Sequence, residues 1–598
     1  MLQLLLGGSG SGKTTLLYQR IRTRAEKGEK SILLVPEQFT SSTEGRIYRE
    51  LGDALSGMVE SFSFTSLAEK ILSTEGGAAV QTLSDAGRAV LVRRALEELQ
   101  DNVHYYHRHR RSAAFCQMAA QTIDELKSAG LSGRQLAQLA GACGAESGKL
   151  SELALIFQGY ETLLARSGMD PSDRLELAGA RLEEALARHS LPEFLRDRAM
   201  FIDEFDTFNA PKKRLLGAML AALPSVTVAL CDDGSPLLPG DLSLFSGAKQ
   251  VAAQLRQLAR KNGAEAVPQL LRKDLRHRNA LGLAAVAELL ETGSCTADAP
   301  AGEVRLFAAP SREEEARAAA GAIRRLMRQG VRCGKIAVVC RDIAKYRAAV
   351  RYEFRMAEIP LYCDEPTTPE FSAPATAVRA LLEIARGADL TENLTTLAKT
   401  GLCALSEEQV CALENYAYTW APTAAAWREK FERSPKGFGE QELTEEDLRN
   451  RERAEHARAL LVGAVDAFRA KVRGVNAEAI SRAVYFCLKT LGAEEQQAAQ
   501  VKAIRAGRGI PAAEEAAREW NVVMGLLNEM AHLLGEQTVT VAEYEDLFGL
   551  LLRSSDLGHI PQTLDAVVLA SAGKMRLDAP DYVFVLGLAE GEFPAAPD

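Results

Sequence analysis

A glycine-rich segment near the start of the chain carries residue types that bind nucleotide phosphates. It follows a short apolar run and leads into a sequence with helical periodicity, which is the setting in which a G-x-x-x-x-G-K-[ST] loop functions. Glycines let successive backbone N–H groups surround a phosphate, and the helix N-terminus adds its positive dipole. We therefore expect a nucleotide site whose phosphate-binding residues are Gly8, Ser9, Gly10, Ser11, Gly12, Lys13, Thr14 and Thr15.

Two residues of this loop have distinct expected roles. Lys13 is placed to contact the β- and γ-phosphates of ATP, and the hydroxyl of Thr14 is placed to hold Mg²⁺. The alternative is an ordinary Gly/Ser-rich turn before a helix. That alternative does not account for the Lys-Thr-Thr sequence that ends the loop, so the pattern favours ATP and Mg²⁺ as cofactors.

A pair of carboxylates ends an apolar strand further along the chain. A phosphate-loop ATPase needs an acid at such a position to hold the Mg²⁺ shell, which suits Asp203. It also needs a base or water-positioning group beside that acid, which suits Glu204 as a catalytic residue. Strands also end in Asp-Glu merely for solubility, and the phosphate loop upstream is what favours the functional interpretation.

Arg341 follows the strand 335–339 of a second α/β unit. It is a candidate catalytic residue, because an arginine there can reach a γ-phosphate across a cleft between two domains. A surface arginine in a strand-to-helix turn explains the spacing equally well.

Two segments combine features of single-strand or duplex binding surfaces. Residues 60–68 place hydroxyls beside aromatics, which suits phosphate contact and base stacking by Ser63, Phe64 and Thr65. Core phenylalanines on a short strand are the alternative. Residues 104–111 interleave basic and aromatic side chains, and a solvated loop between helices explains them equally well.

The composition limits the class of protein. The chain has 598 residues, 47% hydrophobic and 25% charged, with a formal net charge of −9. This length predicts roughly three to five domains. The charge argues against a uniformly basic nucleic-acid coat but leaves room for a local basic groove.

No apolar run approaches the ~18 residues of a membrane span. We expect no membrane association and no signal peptide, because the N-terminus already forms a strand and phosphate loop.

The ten cysteines are scattered without a C-x-x-C pair, which is typical of reduced, mostly buried thiols in a cytoplasmic protein. Their spacing therefore predicts neither a disulfide framework nor a metal site.

The hydrophobic periodicity predicts an α/β fold in which two α/β cores are each interrupted by a helical block. Strands are expected at 2–6, 31–35, 199–202, 226–230, 303–307, 335–339, 566–569 and 582–586. The predicted divisions are a first core at 1–83 and 191–300 with a helical insertion at 84–190, and a second core at 301–375 and 559–598 with a helical insertion at 376–558.

These segments, in order and spacing, resemble superfamily-1 helicases of the UvrD type. Residues 7–15 resemble the first helicase motif, 63–68 the "TFHSLA" motif, Asp203-Glu204-Phe205 the Mg²⁺ motif, and Arg341 the fourth motif. The chain resembles more closely the AddB family, whose members are subunits of the AddAB (RexAB) helicase–nuclease of bacterial recombination. Phrases at 35–40, 413–416 and 585–594 carry that closer resemblance, which covers essentially the whole chain.

The resemblance implies two RecA-like parallel-sheet core domains in the superfamily-1 architecture, with the second core incomplete. It implies an ATP-binding, helicase-like portion of a subunit that processes double-strand DNA breaks and recognises Chi in single-stranded DNA. The implied partners are single- and double-stranded DNA and an AddA-type helicase–nuclease subunit in a heterodimer. In this fold we expect the DNA surface to include Gln38, Phe39, Thr40 and Phe64.

The sequence also departs from the helicase pattern. The third motif normally has a glutamine after its acidic pair, and Cys231-Asp232-Asp233-Gly234-Ser235 has none. Residues 571–576 match the motif that couples ATP to DNA only loosely. These departures favour an alternative in which the chain is a DNA-scanning scaffold without ATP turnover, whereas Asp203 and Glu204 favour real ATPase activity. A different UvrD-like DNA helicase is a further alternative. We also expect the chain to be an N-terminal piece that lacks the nuclease domain and its iron–sulfur cluster.

Overall fold

The computed structural model describes residues 1–77, 82–110, 112–142, 147–294, 302–363, 368–388, 390–439, 442–535, 538–555, 557, 565–573 and 580–595. Within those ranges some residues are described by their backbone and not their side chains, Gln38 and Thr40 among them.

The strands of the described chain form two parallel sheets. They are β1 Leu2–Gly7, β2 Ser31–Leu34, β3 Val59–Phe62, β4 Ala199–Ile202, β5 Ser225–Cys231, β6 Ala266–Leu270, β7 Ile336–Cys340, β8 Leu361–Cys363, β9 Val567–Ser571 and β10 Tyr582–Val585.

The helices lie before, between and after these strands. They are α1 Lys13–Glu26, α2 Thr40–Leu51, α3 Asp53–Ser56, α4 Phe64–Glu75, α5 Asp85–Glu98, α6 Ala113–Ser128, α7 Gly133–Ala140, α8 Ser147–Ser167, α9 Pro171–Ala187, α10 Ala210–Ala222, α11 Ser246–Lys261, α12 Leu281–Thr292, α13 Arg312–Arg328, α14 Ile343–Met356, α15 Ala373–Arg386, α16 Leu390–Lys399, α17 Glu407–Trp420, α18 Glu445–Lys471, α19 Ala477–Thr490, α20 Ala493–Arg508, α21 Ile510–Leu534 and α22 Val541–Ser554.

The first sheet has six strands in the order β3-β2-β4-β5-β1-β6, all parallel. β1, β2 and β4 are almost entirely buried, which explains their continuous apolar sequences. Because the strands are parallel, the phosphate loop, Asp203, Cys231 and the segment after β6 all leave the sheet at its carboxyl edge. This edge is where α/β sheets of this kind bind ligands.

The second sheet has four parallel strands in the order β10-β7-β9-β8. Its core includes Ala316 and Ile323 of α13, Val350 and Phe354 of α14, and Leu569 of β9. β7 and β9 are separated in sequence by more than two hundred residues, most of them helical. The α/β architecture with parallel sheets and two helical insertions therefore agrees with the expectation from sequence.

The two helical insertions pack into one continuous hydrophobic core. Buried residues from α5, α6 and α8 belong to the same cluster as those from α15 to α22. Polar contacts cross the same interface: Arg93 donates to Glu543 (3.5 Å), and Ser84 donates to Glu529 (2.6 Å). Periodicity along the sequence predicted both helical blocks, but it did not predict that they share a core.

The prediction of a strand at 303–307 is wrong. Residues 303 and 304 form a bend and 305–307 belong to no helix or strand, with Leu306 93% exposed and Phe307 67% exposed. Its Glu303 carboxylate accepts a hydrogen bond from Gly282 N–H at the start of α12 (2.6 Å). A strand needs a neighbour for its backbone hydrogen bonds, and no described strand lies beside this segment.

Three short strands were not predicted separately. β6 contains Pro268, which cannot donate a ladder hydrogen bond, and β6 lies accordingly at the edge of the first sheet. β3 is the short strand that stood as the alternative interpretation of residues 60–68. β8 has only three residues, too few to show a period.

In the described ranges the cysteines are free thiols, buried except for Cys231 and Cys411. Across the same ranges, no helix combines the length and apolar character that crossing a membrane requires.

Candidate nucleotide-binding site

The phosphate loop connects β1 to α1 at the carboxyl edge of the first sheet. Gly10 and Gly12 adopt the left-handed backbone conformation, with φ of 79° and 86°, which a residue with a Cβ rarely adopts. Gly12 immediately precedes α1 and has no side chain to cap the first turn of the helix. The loop therefore brings a bare helix N-terminus and flexible backbone N–H groups to one place, as phosphate binding requires.

Lys13 is folded back against the loop that precedes it. Its Nζ donates to the carbonyl oxygens of Gly7 and Gly8, both at 2.8 Å. Burial lowers the pKa of the Lys13 ammonium, and the neighbouring Cys231 and Asp203 act in the opposite direction. A cation held inside the loop, close to the acid expected to bind Mg²⁺, is the arrangement that a nucleoside triphosphate needs.

A buried hydroxyl in the same loop has no partner in the structure. Ser11 is 7% exposed, and its Oγ makes no hydrogen bond. A Cβ added to Gly7 would lie 2.4 Å from that Oγ, so the loop has no room for a side chain at this point. An unsatisfied hydroxyl in a tight glycine cradle fits an anionic ligand with several acceptor oxygens.

Asp203 and Glu204 follow β4 directly. Asp203 is 6% exposed, and its N–H donates to Leu34 O of the adjacent β2 at 3.1 Å. Glu204 has φ of 70°, a left-handed conformation that is costly for a residue with a side chain. Strained backbone of this kind occurs preferentially at functional sites, and here it immediately follows the acid that faces the phosphate loop.

The residues expected to hold Mg²⁺ are Thr14 and Asp203. Thr14 is half-buried in the first turn of α1, whereas Thr15 is exposed. In the part of the chain that is described, no group of three or more His, Cys, Asp or Glu side chains could hold a metal ion by itself. A hydroxyl and one carboxylate are oxygen ligands of the kind that Mg²⁺ takes together with water and substrate phosphates, so these residues fit the ion.

A segment after β6 covers the phosphate loop. Leu275 N–H donates to Gly10 O (2.9 Å), and Arg276 Nη1 donates to Ser9 Oγ (3.1 Å). A Cβ on Gly12 would lie 2.8 Å from Leu275 Cδ1, which shows how closely the two segments approach. Arg276 was not among the residues expected from sequence to form the site. The sequence signal that could have revealed it is the cluster of cations at 272–278, which follows the strand that pairs with β1.

Arg341 lies in the second sheet, at the end of β7. Its Nη1 donates to Glu592 O (3.4 Å), and its own carbonyl oxygen accepts from Ser571 Oγ (3.2 Å). Both contacts are with segments of the second sheet. The arginine that the structure brings onto the phosphate loop is Arg276, and a role for Arg341 at the γ-phosphate stays a prediction.

The expectation that bases stack on Phe64 is corrected by its surroundings. The ring is 2% exposed and packs edge-on against Phe205 (5.2 Å between centroids) and Phe208 (6.0 Å). Lys212 Nζ lies over the ring at 5.3 Å from its centroid. Every surface of the ring that a base would need is therefore covered by this chain. Phe64 is a core residue, as the alternative interpretation held, but it begins α4 and does not lie on a strand.

The other residues expected at a DNA surface lie in different environments. Ser63 is 3% exposed and caps α4: its Oγ accepts from Ser66 N–H, and its own N–H donates to Ser66 Oγ. Thr65 is exposed and hydrogen-bonds to the Glu37 carboxylate. Phe39 is half-buried, and the side chains of Gln38 and Thr40 lie outside what the structure describes. Ser63 is thus occupied by helix capping, while Thr65 remains accessible.

The basic and aromatic stretch at 104–111 is held as a loop between helices. Glu152 of α8 accepts hydrogen bonds from the backbone N–H groups of His104, Tyr105 and Tyr106 at 2.8 to 3.2 Å. These backbone donors keep the pKa of the Glu152 carboxyl below its usual range, although partial burial acts in the opposite direction. Arg111 lies outside the described residues.

Comparison with known proteins shows which family and which individual proteins the chain resembles. A family model described as "ADDB, N-terminal" matches residues 4–286. That match spans the first sheet, the phosphate loop, Asp203 and the segment that covers the loop.

Similarity to individual proteins extends over nearly the whole chain. Proteins named as subunits of an ATP-dependent helicase/deoxyribonuclease from Moorella thermoacetica and Desulforudis audaxviator are each 29% identical to it, over 99% of its length. One of the same name from Heliobacterium modesticaldum is 28% identical over 100% of it. The alignments cover 53%, 52% and 50% of those three relatives, so the chain spans about half the length of the curated relatives it matches.

Proposed function

We propose that this chain binds ATP with Mg²⁺ in the loop between β1 and α1 and serves as the helicase-like portion of a helicase–nuclease subunit. The observation that carries the proposal is the complete phosphate loop, with Lys13 held inside it and Asp203 close by at the same sheet edge. Lys13 and the loop N–H groups bind the phosphates, while Thr14 and Asp203 hold Mg²⁺, which neutralises phosphate charge when bound. Glu204 orients or deprotonates the attacking water in the proposed turnover.

The proposed fold assignment is two RecA-like cores in the superfamily-1 helicase arrangement. Two parallel sheets, each interrupted by a helical insertion, support it. The similarity to proteins named as helicase/deoxyribonuclease subunits, along 99% of the chain, supports a role in DNA repair with single- and double-stranded DNA as substrate. By the same similarity we propose recognition of Chi in single-stranded DNA, an AddA-type partner in a heterodimer, and a cytoplasmic location.

A scaffold function without ATP turnover is the second candidate. The observation that favours it is the pair of contacts that tie Arg341 to Glu592 and Ser571 within the second sheet. An arginine that stabilises the transferring phosphoryl group is worth about 10³–10⁵ in rate, so a site without one binds ATP but hydrolyses it slowly. DNA-stimulated hydrolysis well above background would favour the ATPase over the scaffold.

The nucleotide proposal is tested by binding of a fluorescent ATP analogue, followed by anisotropy. Lys13→Ala should abolish binding, while Lys27→Ala, which removes an exposed lysine just after α1, should leave it unchanged. In the wild type, the ATP analogue should bind more tightly with Mg²⁺ present than with EDTA. Asp203→Asn should remove that difference, whereas Asp206→Asn, at an exposed carboxylate nearby, should keep it. Equal binding by the wild type and Lys13→Ala would contradict the proposal.

The DNA proposal needs its own measurement. The affinity for a single-stranded oligonucleotide should fall as salt rises, because displaced counterions accompany each phosphate contact. An AddA-type subunit co-expressed with the chain should co-elute with it on size-exclusion chromatography. Absence of DNA binding even at low salt, or a stable and processive helicase formed by this chain alone, would contradict the assignment.

A further inference from the structure

A carboxylate from α12 lies against the phosphate loop. A Cβ added to Gly8 would lie 2.9 Å from Glu291 Oε1 and 3.6 Å from Oε2, so the carboxylate occupies the space beside this glycine. The charge of Glu291 also acts on Lys13, where it opposes the lowering of the lysine pKa by burial. A negative charge therefore already stands at a loop whose backbone and lysine attract anions.

The helix that carries Glu291 is lightly packed. Its buried residues are Gly282 and Ala285, both in the first half of α12, while Leu290 near its end is 69% exposed. The start of the helix is anchored by the bond from Gly282 N–H to Glu303. Gly293 ends it in the left-handed conformation, with φ of 77°. Moving the end that bears Glu291 thus costs little apolar burial, because the buried contacts lie at the other end.

Two charged side chains on this face of the loop act in opposite senses. Arg276, bonded to Ser9, favours a phosphate anion at the loop, whereas Glu291 repels one. A nucleotide that enters the loop must therefore gain a contact with Arg276 and overcome the repulsion between its phosphates and Glu291.

We propose that α12 is an autoinhibitory clamp on the phosphate loop, in which Glu291 is the anionic contact that nucleotide phosphates displace. The proposal rests on the nucleotide-binding function proposed above and adds to it a residue that sets the affinity. Displacement of Glu291 moves the C-terminal end of α12, which ends at Thr292.

The test compares Glu291→Gln with Glu288→Gln, which removes the same charge one turn earlier on the same helix. Affinities for ATP and AMP are measured in the full chain at low and high salt, with Lys13→Ala as the reference for binding at the loop. Glu291→Gln should bind ATP about threefold to tenfold more tightly than the wild type, with a smaller gain for AMP and a smaller gain at high salt. Glu288→Gln should bind as the wild type does.

Hydrogen–deuterium exchange supplies a second readout that does not depend on the variants. Saturating ATPγS should speed exchange in the last turn of α12 while slowing it in residues 8–13. Unchanged ATP affinity in Glu291→Gln, when Lys13→Ala has lost binding, would overturn the clamp and leave the nucleotide site standing. Slower exchange at the end of α12 on adding nucleotide would overturn it as well. If neither the wild type nor Glu291→Gln binds ATP, both the clamp and the proposed function are refuted.

Discussion

Arg276 Nη1 lies 3.1 Å from Ser9 Oγ, and this hydrogen bond joins the segment after the last strand of the first sheet to the phosphate loop at the start of the chain. The two residues are 267 positions apart, yet β1 and β6 are neighbours in the sheet, so the loops that follow them meet. A second cation at the phosphate loop, besides Lys13, is thus supplied by strand order rather than by nearness in sequence.

Replacing Arg276 with alanine should weaken ATP binding about tenfold. A hydrogen bond to a charged group contributes about 1.5–3 kcal/mol, and 1.4 kcal/mol corresponds to a factor of ten. The loss should be larger for ATP than for AMP, which has fewer phosphates to contact. Arg278→Ala, at an exposed arginine two residues further on, is the control. Equal losses in the two variants would show that only the net charge of the segment matters.

Replacing Phe64 with alanine should destabilise the fold without changing contacts with DNA. Truncating a fully buried phenylalanine costs about 3–5 kcal/mol, because it removes buried apolar surface and leaves a cavity. The free energy of unfolding from urea titration measures this cost. Phe371→Ala, at a ring that is 83% exposed, should change it by less than about 0.5 kcal/mol. Folded Phe64→Ala protein that loses single-strand affinity specifically would restore the stacking role.

Replacing Arg93 with alanine should loosen the packing between the two helical insertions. The side chain is 6% exposed and pairs with Glu97 at 2.7 Å and with Glu543 of the other insertion at 3.5 Å. Removing it takes a cation away from the carboxylates of Glu97 and Glu543, which are 32% and 24% exposed, and costs about 1–3 kcal/mol, the range for a partly buried charged group that loses a hydrogen bond. Arg482→Ala breaks an exposed pair on α19 and should cost at most about 1 kcal/mol. Chemical denaturation measures the loss of unfolding free energy in both variants. Similar losses would contradict a special role for Arg93.

A partly buried ionic cluster at the start of α9 should give the fold a distinctive pH dependence; the side chains of Lys127 and Asp170 are buried, and that of Asp173 is 37% exposed. Lys127 Nζ lies 2.6 Å from Asp170 and 2.7 Å from Asp173, so two carboxylates share one ammonium. Burial and the charge of Asp170 raise the pKa of Asp173 to about 6. A carboxyl whose pKa is raised in the folded state stabilises the fold at pH values below its unfolded value of about 4. That contribution is lost as pH rises through about 6.

The measurement is the unfolding free energy of the wild type minus that of Asp173→Asn, followed from pH 4 to pH 7. This difference in unfolding free energy should decrease between about pH 4 and pH 6, because the wild type loses stability relative to Asp173→Asn, and should then stay constant. Asp101→Asn, at an exposed carboxylate, is the matched control. A flat difference across this range would mean that Asp173 titrates as it does in the unfolded chain.

The parts of the fold that depend on local pattern were predictable. β1, β4 and β5 are apolar runs long enough to be recognised as buried strands, and the helices of both insertions show their period in the sequence. The short strands β3, β6 and β8 were not separately predictable, because three to five residues carry too little period and Pro268 argues against a strand. The unpaired segment at 303–307 was misassigned for the converse reason, since its pattern is that of a strand but no described strand pairs with it.

By itself the sequence determined the glycine-rich turn between β1 and α1, because the glycines, Lys13 and Thr14 lie in one continuous segment, and the phosphate chemistry proposed for it depends on that local spacing. It likewise determined that Asp203 and Glu204 follow a buried strand. Tertiary structure alone decided that Phe64 lies in the core, that Arg276 and Glu291 reach the loop, and that the two helical insertions share one core. Those outcomes depend on which strands become neighbours and which surfaces are buried together, and such contacts between distant residues leave no periodic signal along the chain.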